Sequence, residues 1–284
     1  MKSGNDMNSG EIHYFNNIQE ILFNLKNSNK KTYLFLDIDG TLSDFQTDAT
    51  QCFIPKKTLH LLKQIIACSI PVSVVTGRDL SSAQKLVEYI EMPIAALHGL
   101  EIYLNQESIL LKNKNNIDFS AIYQHLRMAC IDYSKLLIEH KKSSIALHYR
   151  NCPELAQTAK QIMQDMQCNF PSLKLMTGKY VFELISPHAN KGEAIKQILN
   201  HINKNNNFSA IFIGDDITDE DGFSFINQLQ NGITIKVGEG ISQAKYRLKD
   251  TREVAHFLEE FLKHIHINHL NTPDILSGEK ICLN

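Results

Sequence analysis

The run Asp37-Ile38-Asp39-Gly40-Thr41 places two carboxylates two residues apart, directly after the apolar stretch Tyr33-Leu34-Phe35-Leu36. Ligand sites of open parallel sheets lie outside the carboxyl ends of strands. The two-residue period of extended chain lets both acids face one crevice. There Asp37 can attack an electrophile while Asp39 exchanges a proton with a leaving group. Standing alone, the motif would read equally well as a polar turn with an N-capping Asp.

Three further stretches add groups of matching chemistry. Gly214-Asp215-Asp216-Ile217-Thr218-Asp219-Glu220-Asp221 follows the apolar run Ala210 to Ile213. Carboxylates of this kind suit a hard divalent cation, and Mg²⁺ takes one or two of them together with phosphate oxygens and water, so Asp37 with Asp215 is a sensible pair. A solvated charge run at the head of the next helix is the competing reading, and it suits Glu220 and Asp221. Thr76-Gly77-Arg78, after Pro71 to Val75, offers a hydroxyl, backbone N–H groups and a guanidinium, all phosphate-binding groups; by itself it reads as a strand-to-helix turn. Lys191, opening Lys191-Gly192-Glu193-Ala194, adds a compact cation able to neutralise a phosphoryl group in transit. A lone lysine at a helix start is ordinarily solvated, so its weight comes from its company.

The elements that must position these groups follow from hydrophobic periodicity. Ile12, Phe15, Ile18, Ile21, Leu22 and Leu25 recur at helical spacing before the first strand, after a polar and loose start. Short apolar runs then alternate with helical patterns: the strand from Tyr33, a helix opened by Pro55, the strand from Pro71, a helix over 81–90 and the run Ile94 to Leu97. Parallel strands need crossover connections, so the alternation predicts a doubly wound, mostly parallel Rossmann-like α/β sheet with helices on both faces. After Gly99 the texture changes to paired short strands: a hairpin over 100–112, a helix running through Ile122, Leu126, Ala129, Tyr133 and Leu136, a strand over 144–150, a helix over 154–166 and a hairpin over 173–185 turning at Thr177-Gly178-Lys179. The alternating texture resumes at Gly192 and runs to about His264. The expected division is an N-terminal helical extension over 1–30, a discontinuous core over 31–100 and 187–266, an inserted smaller α+β cap over 101–186, and a tail over 267–284.

Composition bounds the function. Lys plus Arg number 29 against 31 Asp plus Glu, a net charge of -2, so no overall field seeks nucleic acid. Six cysteines are scattered without a C-x-x-C pair or zinc-like spacing and read as buried free thiols. No signal-peptide pattern and no apolar run long enough for a membrane helix are found, so the expectation is a cytoplasmic protein with no membrane partner. Gly238-Glu239-Gly240 lacks the third glycine of a dinucleotide motif, and His264, His266 and His269 have the mixed spacing of an amphipathic helix end rather than of a metal site.

Acids at one strand end, a Thr at the second, a Lys before a helix and paired Asp at a later strand, in that order, resemble the haloacid dehalogenase superfamily of phosphohydrolases. The resemblance implies Asp37 as the residue that becomes an aspartyl-phosphate, Asp39 as general acid and base, Thr76 and Lys191 as holders of the phosphoryl oxygens, and Asp215 and Asp216, beside Asp37 and Asp39, as the Mg²⁺ site. Gly40, Thr41, Gly77 and Arg78 join the phosphate-binding and substrate-binding residues. More narrowly, Gly214 to Phe223, Leu147-His148-Tyr149-Arg150, Asn190 to Ile195 and Ile235-Lys236-Val237-Gly238 resemble trehalose-6-phosphate phosphatases over about Thr32 to Leu262. That likeness implies a small-molecule substrate, trehalose 6-phosphate; apart from the likeness, a monomer is the expected state. Another sugar phosphate, such as a sucrose or mannose phosphate, or a silent sugar-phosphate sensor, is the alternative.

In the insert, alternation puts His148 and Arg150 on one face of their strand and Glu183 opposite Tyr180, Phe182 and Leu184. The resemblance implies a cap whose polar residues grip the sugar, and Glu139, Lys141, His148, Arg150 and Glu183 are nominated; cap-internal hydrogen bonds are the other role open to His148 and Arg150. One departure stands out: Glu183 to Asn190 lacks the Pro-Arg-Gly that such phosphatases often carry after the glutamate, and Pro187 sits one place later.

Overall fold

A computed structural model describes residues 10–27, 30–46, 51–104, 107–110, 117–141, 144–178, 180–202 and 208–271, and the side chains of all these except 10–17, 27, 107–110 and 268–271. Residues 1–9, expected to be loose, the side chains of Ile12, Phe15 and His269, residues 111–112 of the expected hairpin, Lys179 and Cys282 lie outside that description.

The chain forms α1 (Gly10–Asn27), β1 (Lys31–Leu36), α2 (Lys56–Ala67), β2 (Val72–Val75), α3 (Leu80–Leu86), β3 (Ile94–Ala96), β4 (Glu101–Leu104) and β5 (Glu107–Leu110). The insert contributes α4 (Phe119–Ala129), β6 (Leu137–His140), β7 (Ser144–His148), α5 (Ala156–Asn169), β8 (Lys174–Gly178) and β9 (Val181–Ile185). The return to the core gives α6 (Lys191–Ile202), β10 (Phe208–Gly214), α7 (Glu220–Gln228), β11 (Ile233–Val237), β12 (Tyr246–Leu248) and α8 (Thr251–Asn271).

Eight strands form one sheet in the order β12-β11-β10-β1-β2-β3-β4-β5. The pairings from β12 to β3 are all parallel, and β4 and β5 add an antiparallel edge. β1 and β10 lie side by side in the middle, with Leu36 level with Ile213, so the carboxylates that follow each strand emerge together. Both strands are buried on both faces, as their unbroken apolar runs require. On one face Leu34, Leu36, Ile211 and Ile213 pack with α2, α8 and the Ile18, Ile21, Leu22 and Leu25 stripe of α1; on the other Tyr33, Phe35 and Phe212 pack with α6 and α7. Each fully buried side chain of this size contributes roughly 1.5–3 kcal/mol, so α1 is an integral part of the core.

Four expectations are corrected. The hairpin β4–β5, assigned to the insert, extends the core sheet because β4 pairs with β3 from Ile94↔Tyr103 to Ala96↔Glu101. The helix drawn through Tyr133 and Leu136 stops at Ala129, and Leu137–His140 is an edge strand of the cap, too short and too mixed in polarity to show a period. The last helix continues to Asn271: Val254, Phe257, Leu258, Phe261, Leu262 and Ile265 keep one face in the core, and nothing in the sequence breaks it before Pro273. Among the described cysteines none is bonded to another; Cys52, Cys130 and Cys152 are buried, but Cys68 is half-buried and Cys168 exposed.

The cap sheet has the order β6-β7-β9-β8, antiparallel throughout, with α4 and α5 on one face over a separate core built on Leu126, Ile145, Leu147, Met163 and Leu184. Its other face carries Glu139, Ala146, His148 and Glu183 and turns toward the carboxyl ends of β1 and β10. No helix among the described residues is long and apolar enough to cross a membrane.

Candidate active site

A cleft of about 600 Å³ separates the two sheets, with Asp37, Asp39, Arg78 and Lys191 on the core side and Lys141 and Glu183 on the cap side. Its floor is the end of β1. Asp37 N–H still belongs to the sheet, donating to Ile213 C=O at 3.0 Å, and the chain then folds into a tight turn in which Ile38 C=O accepts from Thr41, Leu42 and Ser43. Gly40 takes φ +75°, and a Cβ there would lie 2.0 Å from Asp215 Oδ2. Only glycine lets the two acidic strand ends come this close.

Lys191 is 2% exposed at the first position of α6. Its ammonium lies 2.7 Å from Asp219 Oδ1 and 3.0 Å from Asp37 Oδ1. Burial works against its charge, but the Asp219 and Asp37 carboxylates more than offset that and raise its pKa above the ordinary lysine value. Asp219 is fully buried, and its second oxygen, Oδ2, accepts from the N–H groups of both Asp215 and Asp216 at 2.9 Å. It therefore ties the β10 turn to the lysine. Sequence reading kept Asp219 inside a charge run and gave it no role; the signal was its spacing, since the helical turn Ile217–Asp219 brings the fourth residue after Asp215 back onto the strand end.

The carboxylates of Asp37, Asp215 and Asp219 converge, one oxygen of each within 4.8 Å of the others. Burial first, then Asp219 and Asp39, push Asp37 up to about 8 against the pull of Lys191, and burial with Asp37 and Asp219 raises Asp215 well above the carboxylate range. Asp215 Oδ1 is buried without a hydrogen-bond partner among the described residues. A cluster one lysine cannot neutralise, with an orphaned carboxylate oxygen, fits a hard divalent cation. The side chains of Asp39 and Asp216, counted with the metal ligands, are engaged elsewhere. Arg78 grips Asp39 at both oxygens, Nε to Oδ2 at 2.7 Å and a terminal nitrogen to Oδ1 at 2.6 Å. Asp216 Oδ1 accepts from Ile217 N–H at 2.7 Å.

Thr76 is buried at the end of β2, its hydroxyl accepting from Arg78 N–H at 3.2 Å, and Gly77 lies against the ring of His98. Thr41, in the turn after Asp39, has a buried hydroxyl with no hydrogen-bond partner among the described residues. On the cap, Glu183 Oε1 accepts from Ser144 Oγ at 2.5 Å and from Lys141 Nζ at 3.0 Å. Burial would raise its pKa, but Lys141, His98 and Ser144 pull it below the ordinary carboxylate range. Arg150 donates to His148 Nδ1 at 2.8 Å, leaving His148 Nε2 as the donor to Glu139 at 2.9 Å, and it also donates to Gln46 C=O in the core at 2.9 Å. His148 and Arg150 thus make cap-internal hydrogen bonds and one latch across the cleft mouth. After Glu183, Ser186 and Ala189 are buried where the departure from Pro-Arg-Gly falls, and the chain arrives at Lys191 nonetheless.

A family model described as trehalose-phosphatase matches residues 35–252. The trehalose-6-phosphate phosphatase of Escherichia coli (strain K12) is 29% identical over 230 residues, covering 79% of this chain and 84% of that protein. A probable trehalose-phosphate phosphatase of Sinorhizobium fredii (strain NBRC 101917 / NGR234) is 34% identical over 210 residues, covering 72% and 77%. The solved C-terminal domain of C. albicans trehalose-6-phosphate phosphatase superposes with a TM-score of 0.79 over 87% of this chain and 97% of that one at 22% identity, a likeness of fold.

Proposed function

Because the chain belongs to the trehalose-phosphatase family, we propose that it hydrolyses trehalose 6-phosphate to trehalose and inorganic phosphate, Asp37 carrying the phosphoryl group between two displacements. A carboxylate oxygen of Asp37 attacks phosphorus, the bond from phosphorus to the sugar oxygen breaks, and Asp39 gives that oxygen a proton. Water then attacks the aspartyl-phosphate, Asp39 takes up a proton from it, and the bond from phosphorus to Asp37 breaks. Lys191 holds positive charge against the oxygens that gather charge in each step, and the Thr76 hydroxyl and backbone N–H groups orient them. Arg78, which grips Asp39 in this structure, gains a second anion when a phosphate enters, and the guanidinium can then share its donors between the two. Asp37 and Asp215 would hold Mg²⁺, which supplies charge neutralisation for the phosphoryl oxygens. The cap carboxylates Glu139 and Glu183, with Lys141, present acceptors and a donor suited to sugar hydroxyls.

The observation that carries this reading is the pairing of Asp37 with Lys191 on the floor of a cleft whose roof holds Glu183 and Lys141. The test is phosphate release from trehalose 6-phosphate beside glucose, sucrose and mannose 6-phosphates, with and without Mg²⁺. Release that is selective for the trehalose ester, dependent on metal and abolished in Asp37→Asn is the expected result. Preference for another ester would move the substrate, and silence on all four would refute hydrolysis.

A further inference from the structure

His98, on the core side, faces Glu183 across the cleft: its Nε2 lies 3.8 Å from Oε2, each side chain being 12% exposed. The backbone is strained to put it there. Leu97 and His98 both adopt left-handed φ, 52° and 55°, and Gly99 follows at φ +94°. Non-glycine residues avoid that region at a cost of roughly 1–2 kcal/mol each, and such strain persists where function or surrounding structure requires it.

Glycines on both sides accommodate the strained segment. The His98 ring lies over Gly77, where a Cβ would meet the ring at 2.4 Å, and a Cβ on Gly99 would strike Ala194 and the Asn190 carbonyl at the head of α6. The segment is therefore wedged between the turn that follows Thr76 and the helix that begins with Lys191.

Glu183 Oε1 is taken by Ser144 and Lys141, whereas Oε2 accepts no hydrogen bond from the described residues and has His98 Nε2 3.8 Å away. Nδ1 of His98 is buried with no hydrogen-bond partner among the described residues. A proton on Nδ1 would be a buried, unpaired donor, so the tautomer with its proton on Nε2, toward Glu183, is the better one. At 3.8 Å a donor and an acceptor are too far apart for a direct hydrogen bond, yet one hydroxyl can sit against both, accepting from Nε2–H and donating to Oε2.

We propose that His98 and Glu183 form a split subsite for a single sugar hydroxyl, His98 supplying its donor from the core and Glu183 its acceptor from the cap, so that the sugar itself joins the two halves of the cleft. His98 is then a specificity-determining residue for the disaccharide ester. The assignment rests on the reading of the cleft as a sugar-phosphate site.

The test compares kcat/KM for trehalose 6-phosphate with that for p-nitrophenyl phosphate, which has no sugar hydroxyl, in the parent, His98→Asn, His98→Gln, Glu183→Gln and the double variant. Asn tolerates left-handed backbone and so separates loss of the imidazole from loss of the turn. In His98→Asn the ratio of the two kcat/KM values should fall about ten-fold, mostly through KM for the sugar ester, in line with one lost hydroxyl contact. Its melting temperature should not fall. His98→Gln, whose longer side chain carries its amide N–H out to about where Nε2 lies while the Asn amide falls short, should recover part of the ratio, and the effects of His98→Asn and Glu183→Gln should be less than additive. Equal losses on both esters, full additivity, or a drop in melting temperature with an unchanged ratio would overturn the proposal and leave His98 a purely structural residue. If the parent prefers another sugar phosphate, the substrate reading fails, and His98 is judged by the same ratio on that ester.

Discussion

Asp219→Ala removes a side chain that touches no substrate and yet should be among the most damaging single changes in the core. One oxygen of Asp219 meets Lys191 at 2.7 Å and the other holds the N–H groups of Asp215 and Asp216 at 2.9 Å, all with the carboxylate fully buried. Breaking a buried ion pair costs about 3–5 kcal/mol. Lys191 keeps Asp37 at 3.0 Å, which favours the lower end, while two N–H groups deprived of a charged acceptor add about 1 kcal/mol or more. The sum, about 4 kcal/mol, corresponds to roughly 8–16 °C in melting temperature for a protein of this size class. Asp221→Ala is the matched control: it removes a charge from the same motif, but its partner Lys174 is 3.7 Å away and both side chains are over a third exposed, a contact worth about 1 kcal/mol at most. Thermal unfolding of both variants in chelator, followed by circular dichroism, decides the matter. If Asp219→Ala melts within about 3 °C of the parent, or no lower than Asp221→Ala, the keystone role assigned to Asp219 is wrong.

Two further outcomes follow from the geometry. Gly40→Ala, whose new methyl would collide with Asp215 Oδ2 on a backbone at φ +75°, should cut turnover about 100-fold and raise the Mg²⁺ concentration needed for half-maximal rate, with a stability cost of at least about 1–2 kcal/mol from the backbone alone; retention of parental metal dependence would refute the close approach. Glu183 has its pKa lowered from an ordinary 4.5 on folding, so its stabilising contribution is complete above that value and is lost as pH falls below it. Melting temperatures taken from about pH 6 down to about pH 3 should therefore fall less steeply in Glu183→Gln than in the parent, and parallel curves would refute the assignment.

The chemistry was more legible in the sequence than the boundaries were. β1 and β10 announce themselves because a strand buried on both faces is an unbroken apolar run, and carboxylates at the end of such a run have no packing role. Lys191 was legible only in company, since nothing local distinguishes a buried lysine from a solvated one. Asp219 was hidden by Glu220 and Asp221 beside it: three adjacent acids look alike until a helical turn buries one fully and leaves the others half-buried. His98 follows Ile94-Ala95-Ala96-Leu97 with no period or partner in sequence, and its role depends on a strand that arrives far later in the chain. The β4–β5 hairpin misled for a related reason: its local texture is that of the insert, and only its pairing with β3 places it in the core.

β1 and β10, neighbours at the centre of the sheet, are separated in the chain by the whole of the insert. During synthesis, therefore, one edge of β1 has no partner while the ribosome delivers some 170 residues between Leu36 and Phe208, on the order of fifteen seconds at typical elongation rates of about 5–20 residues per second. Tyr33-Leu34-Phe35-Leu36 is a short, uncharged, β-prone segment of the kind that seeks another edge when left open. The nascent chain thus passes through an interval in which the strand that will carry Asp37 keeps an open, adhesive edge, and that interval closes only when β10 docks and the acidic cluster comes into being with it.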